Sequence, residues 1–192
     1  DRTTGVAIHA GTIKQEEESK EEQVMKPGDV VRVKVNEDNR QILSECHTAG
    51  HVVDAAMVQI GITLQPIKGF HFLDGPYVEY KGAIPAEERT EKLQRLQSCF
   101  QDLITENSRT KIEILPKDKA RELCVRLAQN FTKMTDDGKD MVRVVTIANE
   151  PLPCGGTHVK STSSLKERNW GITGFKCKKG VMRVKYGQNQ ES

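Results

Sequence analysis

The sequence contains no apolar run near the roughly 20 residues that a membrane-spanning helix requires, and no basic start followed by an apolar stretch. Neither a membrane span nor a secretory signal is therefore expected. The chain opens at Asp1 without a methionine, as a trimmed fragment would. Cysteines are few and odd in number: Cys46, Cys99, Cys124, Cys154 and Cys177 lie far apart. A disulfide framework would be denser and even, so a reducing, cytoplasmic setting is expected. No internal repeat or low-complexity linker interrupts the chain. The HExxH signature is also missing, and with it the general base on which metallopeptidases rely.

What is present is an ordinary globular balance, 36% apolar and 29% charged over 192 residues. That length supports one sizeable core, or a main domain with a small companion. Net charge is only +2, but it is unevenly placed. Between residues 160 and 192 stand eight Lys or Arg against Glu167 and Glu191. A basic end on a nearly neutral chain suits contact with a polyanion, and a solvated hairpin face explains the charge equally well.

Residues 6–13 mix β-branched and small residues, 30–35 alternate as a half-buried strand does, Pro27-Gly28-Asp29 supplies a turn, and a short strand is expected over 40–44. Together they suggest a small, incomplete β-barrel-like segment over residues 1–44. From Thr48 the period becomes helical up to Gly61. A hairpin is expected around Asp74-Gly75-Pro76, a long amphipathic helix from Pro85, a strand over 111–115 and a helix over 117–131. A buried strand over 142–147 and a closing hairpin around Lys178-Lys179-Gly180 complete the pattern. Strands, helices and hairpins alternate without a regular βαβ period. The expected class is α+β, with an antiparallel sheet and packed helices over residues 45–192.

Two histidine spacings match. His47-Thr48-Ala49-Gly50-His51 sets two imidazoles at i and i+4, one above the other on a helix. Cys154-Gly155-Gly156-Thr157-His158 sets a thiol and an imidazole at the same offset, approached through Pro151 and Pro153. Three nitrogens and one thiolate suit Zn²⁺ and argue against Mg²⁺ or Ca²⁺. Either spacing alone arises by chance in roughly one such sequence in ten, and both together in about one in a hundred. The ordinary alternatives, capping imidazoles and an inert buried thiol, are thus the weaker reading. A structural site closes all four positions and a catalytic one leaves a position for water; four candidates leave both arrangements open. With no carboxylate base in the motif, an ester is a better substrate than an amide.

The HTAGH and CGGTH pair, about a hundred residues apart, resembles the editing domain shared by alanyl- and threonyl-tRNA synthetases, and most of all its free-standing form, AlaX. The stretches Lys68-Gly69-Phe70-His71-Phe72, Asp74-Gly75-Pro76-Tyr77-Val78-Glu79-Tyr80 and Gly171-Ile172-Thr173-Gly174-Phe175 support the resemblance, which covers roughly residues 40–187. It implies zinc at His47, His51, Cys154 and His158, and hydrolysis of mischarged tRNA(Ala): Ser-tRNA(Ala), with Gly-tRNA(Ala) as a second substrate. Lys68 and His71 are then expected beside the ester or the terminal adenosine. Gly155 and Gly156 would offer N–H groups to the carbonyl oxygen. Lys176, Lys178, Lys179, Arg183 and Lys185 would meet tRNA phosphates. Synthetase-embedded versions usually carry Gln where Ile67 stands, so Thr48, Thr157 and His71 become the polar candidates for reading a serine hydroxyl. Two other readings compete, a zinc-stapled module that binds RNA without cleaving it and an editor of Ala-tRNA(Thr).

Overall fold

A computed structural model describes residues 25–125, 131–135 and 140–189. The chain divides into two compact units, Asp1–Val35 and Asn36–Ser192. Most of the first unit, including the strand expected over 6–13, lies outside the described residues. Within it, residues 25–35 carry no strand. The valines that alternate there are open to solvent, from Val35 at 52% to Val30 at 100%. Period-two patterning makes a strand only when a neighbour pairs with it, and among the described residues none does.

The strand expected over 40–44 is instead helix. α1 (Glu37–Gln59) starts eleven residues before the change of period at Thr48, because Asn36 caps it: the Asn36 side chain accepts from the Asn39 amide at 2.9 Å. Glu37 and Asp38 follow in the first turn, where carboxylates oppose the positive end of the helix dipole. A run that reads as a turn is thus a helix start. Every residue from 44 to 57 is buried except His47, which is half-buried, so this stretch of α1 is an internal element with one opening at His47.

α2 (Arg89–Thr105) follows a short 3₁₀ turn at Ala86–Glu88 and buries Leu96, Phe100, Leu103 and Ile104, the stripe expected from its spacing. A four-stranded antiparallel sheet in the order β1-β2-β7-β6 covers the same core. It consists of β1 (Gln65–Phe70), β2 (Tyr77–Lys81), β6 (Trp170–Lys178) and β7 (Val181–Gln188). Lys179 and Gly180 both have positive φ between β6 and β7, the backbone that a tight two-residue hairpin requires.

The second sheet, β3 (Lys111–Pro116), β4 (Met141–Ile147) and β5 (Glu150–Pro153), is also antiparallel. β5 has no counterpart in the sequence reading. Ala148 and Asn149 turn with φ of 48° and 65° without the usual glycine, and Pro151 and Pro153 are tolerated because β5 is an edge strand. β4 separates two cores. Val145 and Ile147 join the main one; Val142 and Val144 face a smaller cluster with Ala120, Cys124 and Phe131. The single helix expected over 117–131 ends early: α3 (Lys117–Leu123) stops at Cys124, which leaves helical geometry, and a short α4 (Phe131–Thr135) is separate.

The main core also holds a charged residue. Glu45 on α1 is 2% exposed, and it accepts from Trp170 Nε1 at 3.0 Å and from Gln41 at 3.0 Å while pairing with Arg168 at 3.2 Å. A carboxylate that deep persists only with its oxygens satisfied. These bonds tie α1 to the start of β6.

Candidate metal centre

One face of α1 carries His47, Gly50, His51 and Asp54, at helical offsets of three and four. Opposite it, the chain leaves β5 and runs through residues 154–160, held at both ends. The Cys154 amide donates to the Arg143 carbonyl at 3.0 Å, and the Arg143 guanidinium donates to the Cys154 carbonyl. Further on, the Val159 amide donates to Thr48 Oγ1 at 3.1 Å, and Thr110 Oγ1 donates to the Val159 carbonyl at 2.6 Å. This short loop therefore presents Cys154 and His158 to the helix with its backbone fixed.

The four predicted ligands converge. One donor atom from each of His47, His51, Cys154 and His158 lies within 4.8 Å of the others. Cys154 Sγ is 3.6 Å from His47 Nε2 and 3.3 Å from His158 Nε2. Zinc bonds of about 2.0–2.1 Å to nitrogen and 2.3 Å to sulfur, at a tetrahedral angle, put those atoms about 3.6 Å apart. The measured spacing fits that donor set. His51 Nδ1 is buried with no hydrogen-bond partner, an uncompensated cost for a polar atom unless something else takes it. Thr48 Oγ1 stands 3.2 Å from His158 Nδ1, which leaves Nε2 of that ring as the ligating atom, a usual outer support of a metal-bound histidine.

Glycine is required at one point of this loop. A Cβ on Gly156 would stand 2.2 Å from His47 Cε1, and the Gly156 amide donates to Cys154 Sγ at 3.4 Å. Gly156→Ala should therefore displace His47 and weaken zinc binding roughly 10–100-fold, the range seen when a ligand's support is lost. Competition titration with a chromogenic chelator measures this, while the circular-dichroism spectrum should stay unchanged.

Burial holds all the imidazoles of the cluster below the ordinary histidine pKa, and neighbouring rings add to this at His51 and His158. His51 lies well below, His158 is lowered to about 3 and His47 is lowered. Neutral rings are what a metal ligand must be. The Cys154 thiol is pushed up by burial, against the opposing pull of the Gly156 amide and Arg143.

The cluster opens on a cavity of about 590 Å³ lined by His47, His51, Asp54, Lys68, His71 and Cys154, with residues of β1 and β5. That volume suits a small-molecule group. Lys68 and His71 thus face the same cavity as three of the ligands. His71 stacks beside His47 with 4.6 Å between ring centres, and its Nδ1 is 2.6 Å from the Tyr186 hydroxyl. Thr48 is fully buried behind His158. Gly155 is exposed, and neither Gly155 nor Gly156 lines this cavity. A second cavity, of about 550 Å³, is lined by Thr157 and His158 with Arg40, Arg143 and Lys160. On the β6–β7 hairpin, Lys176, Lys178, Lys179, Arg183 and Lys185 share one cleft; Arg183 is held by Glu79 at 2.6 Å and lies over the Tyr77 ring at 4.0 Å.

Sequence reasoning missed Arg143, Tyr186 and Asp54 at this site. Asp54 follows His51 by three residues on a helix, a spacing that could have revealed it. Arg143 and Tyr186 come from distant strands and leave no local signal.

A mixed imidazole–thiol cluster set between a buried helix and an edge-strand loop, and open to a cavity, makes a candidate metal site in an α+β domain. No protein-family model matches the chain. It is similar to the alanyl-tRNA editing protein AlaX-M of Methanosarcina barkeri, 29% identical over 74% of this chain and 57% of that protein. It is also similar to the alanine–tRNA ligases of Anaeromyxobacter sp., 25% identical over 84% of this chain and 16% of the ligase, and of Neorickettsia sennetsu, 27% identical over 85% and 18%. Its homologues therefore include an AlaX protein and alanine–tRNA ligases, and its architecture agrees with an AlaX-type editing domain. The chain spans about a sixth of those ligases and just over half of the AlaX protein.

Proposed function

We propose that this chain edits tRNA(Ala), removing a wrongly attached small amino acid by hydrolysis of its ester to the terminal ribose, in the cytoplasm and with zinc held by His47, His51, Cys154 and His158. Water adds to the ester carbonyl, the bond to the ribose oxygen breaks, and a free amino acid and a 3′-terminal hydroxyl result. The observation that carries the reading is the convergence of the four donors at the wall of a cavity of about 590 Å³, in a chain whose relatives are named for alanyl-tRNA editing and alanine–tRNA ligation. When bound, zinc supplies Lewis acidity toward the carbonyl and lowers the pKa of water.

The protein's own residues do the rest. α1 fixes His47 and His51 at one spacing, and Thr48 orients His158. Lys68 and Lys81, both lining the cavity, suit the phosphate nearest the terminal adenosine. The five cations of the β6–β7 hairpin suit phosphates farther along the acceptor stem, adding affinity without sequence choice. Among the described residues no helix is long and apolar enough to cross a membrane.

Serine release from Ser-tRNA(Ala), set against Gly-tRNA(Ala) and Ala-tRNA(Thr), tests the proposal. Ser-tRNA(Ala) should be hydrolysed fastest. Preference for Ala-tRNA(Thr) would move the protein to the threonine branch. Tight binding of all three with no release would make the metal a staple in an RNA-binding module.

A further inference from the structure

The cavity beside the cluster needs a group that reads what is attached to the ribose, and most of its polar side chains are already committed. His47, His51 and Cys154 belong to the cluster. Asp54 Oδ1 accepts from the Tyr80 hydroxyl at 2.7 Å. Lys68 and Lys81 are point charges suited to phosphate. Of the three polar residues that the sequence offers for reading a hydroxyl, two are elsewhere. Thr48 is fully buried and occupied by His158 and the Val159 amide. Thr157 bonds Ser44 at 3.0 Å and lines the other cavity. His71 remains.

Its seat is built by omission. A Cβ on Gly50 would stand 2.5 Å from His71 Cε1, and a Cβ on Gly69 would stand 2.3 Å from His71 Nε2. The ring therefore occupies a slot that exists only because both positions lack side chains. His71 and Gly69 both line the cavity, and Nε2 is the ring atom set against Gly69. The other nitrogen is fixed: Nδ1 lies 2.6 Å from the Tyr186 hydroxyl, which is itself buried and packed near Cys46. If Tyr186 gives its proton to Nδ1 rather than to Cys46, the ring proton sits on Nε2. His71 is then an N–H donor, one ring away from His47.

Resting on the editing function proposed above, we infer that His71 is the specificity-determining residue of this site, its Nε2–H donating to the side-chain oxygen of a seryl group held at the cluster. A site built around a donor rejects the ligand that lacks the acceptor, because the donor is then buried without a partner. Seryl esters are thus favoured over alanyl and glycyl ones.

Binding, not turnover, tests this. The probes are seryl-, alanyl- and glycyl-amide analogues of 3′-amino-3′-deoxyadenosine, which cannot be hydrolysed, titrated by calorimetry into the zinc-loaded full chain. The wild type should hold the seryl analogue about tenfold more tightly than the alanyl one, a factor of the size one hydrogen bond supplies. His71→Ala should abolish that preference while leaving zinc content at one per chain, and His71→Gln, which keeps a donor, should restore part of it. Tyr186→Phe, which unlocks the tautomer, should reduce it severalfold. Equal binding of the seryl and alanyl analogues by the wild type, a preference that survives His71→Ala, or loss of zinc in that variant would overturn the inference. If the wild type binds none of the three analogues, the editing function falls and this inference with it.

Discussion

Cys154→Ala will empty the metal centre. The sulfur is the one soft donor of the four, lies 3.3 and 3.6 Å from two of the imidazole nitrogens, and has its backbone clamped on both sides by Arg143. Removing an outer support of a metal ligand already costs 10–100-fold in affinity; removing a direct ligand should cost more than 100-fold. Zinc content after dialysis, read by atomic emission, should fall from one per chain to near zero, and serine release from Ser-tRNA(Ala) should fall with it. Because Cys154 is only partly buried, truncation leaves a small gap and the fold should survive. Full retention of zinc by this variant would show that the four side chains do not form one site.

The second large effect is acid sensitivity of the metal-free protein. In the unfolded chain the histidines titrate near 6.5, whereas in the folded chain burial lowers His158 to about 3 and His71 to about 4, with His51 well below its ordinary value. Below pH 6.5 the unfolded state therefore binds more protons than the folded one, and stability falls as pH falls. The loss should begin near pH 6.5 and run down to about pH 3–4, where His71 and then His158 also protonate in the folded chain. Melting temperatures of chelator-stripped protein at pH 7.5, 6.0, 5.0 and 4.0 should drop steadily. His158→Gln and His71→Gln, made together, should flatten the slope. A melting temperature constant from pH 7.5 to 5 would contradict the buried, neutral state of these rings.

The convergence of His47, His51, Cys154 and His158 was legible in the sequence because both pairs are local. An i, i+4 spacing on a helix and a Cys-x-x-x-His turn each report their own geometry, and the structure brings all four together. The stripe of α2 and the β6–β7 hairpin were legible for the same reason. The start of α1 was not. Asn36-Glu37-Asp38-Asn39 is as good a turn as a helix cap, and only the packing of residues 44–57 into the core decides between them. Strand β5 was hidden because its turn uses Ala148 at positive φ and its own residues include two prolines. The outer parts of the site, Arg143 from β4 and Tyr186 from β7, depend on strand pairing across long sequence distances. Gly155 and Gly156 read as donors to a carbonyl oxygen, yet the Gly156 amide is given to sulfur and its missing side chain makes room for His47.

The burial of α1 along residues 44–57 makes one rod serve two purposes. The rod that anchors the hydrophobic interior also sets the gap between two candidate ligands, His47 and His51. A substitution at Val52, Val53 or Met57 that loosens this rod will therefore register twice, as a lower melting point and as a leakier metal centre, even though none of the three belongs to the ligand set. The other two candidate ligands, Cys154 and His158, sit on a tethered loop, where a substitution should alter metal affinity before it alters stability.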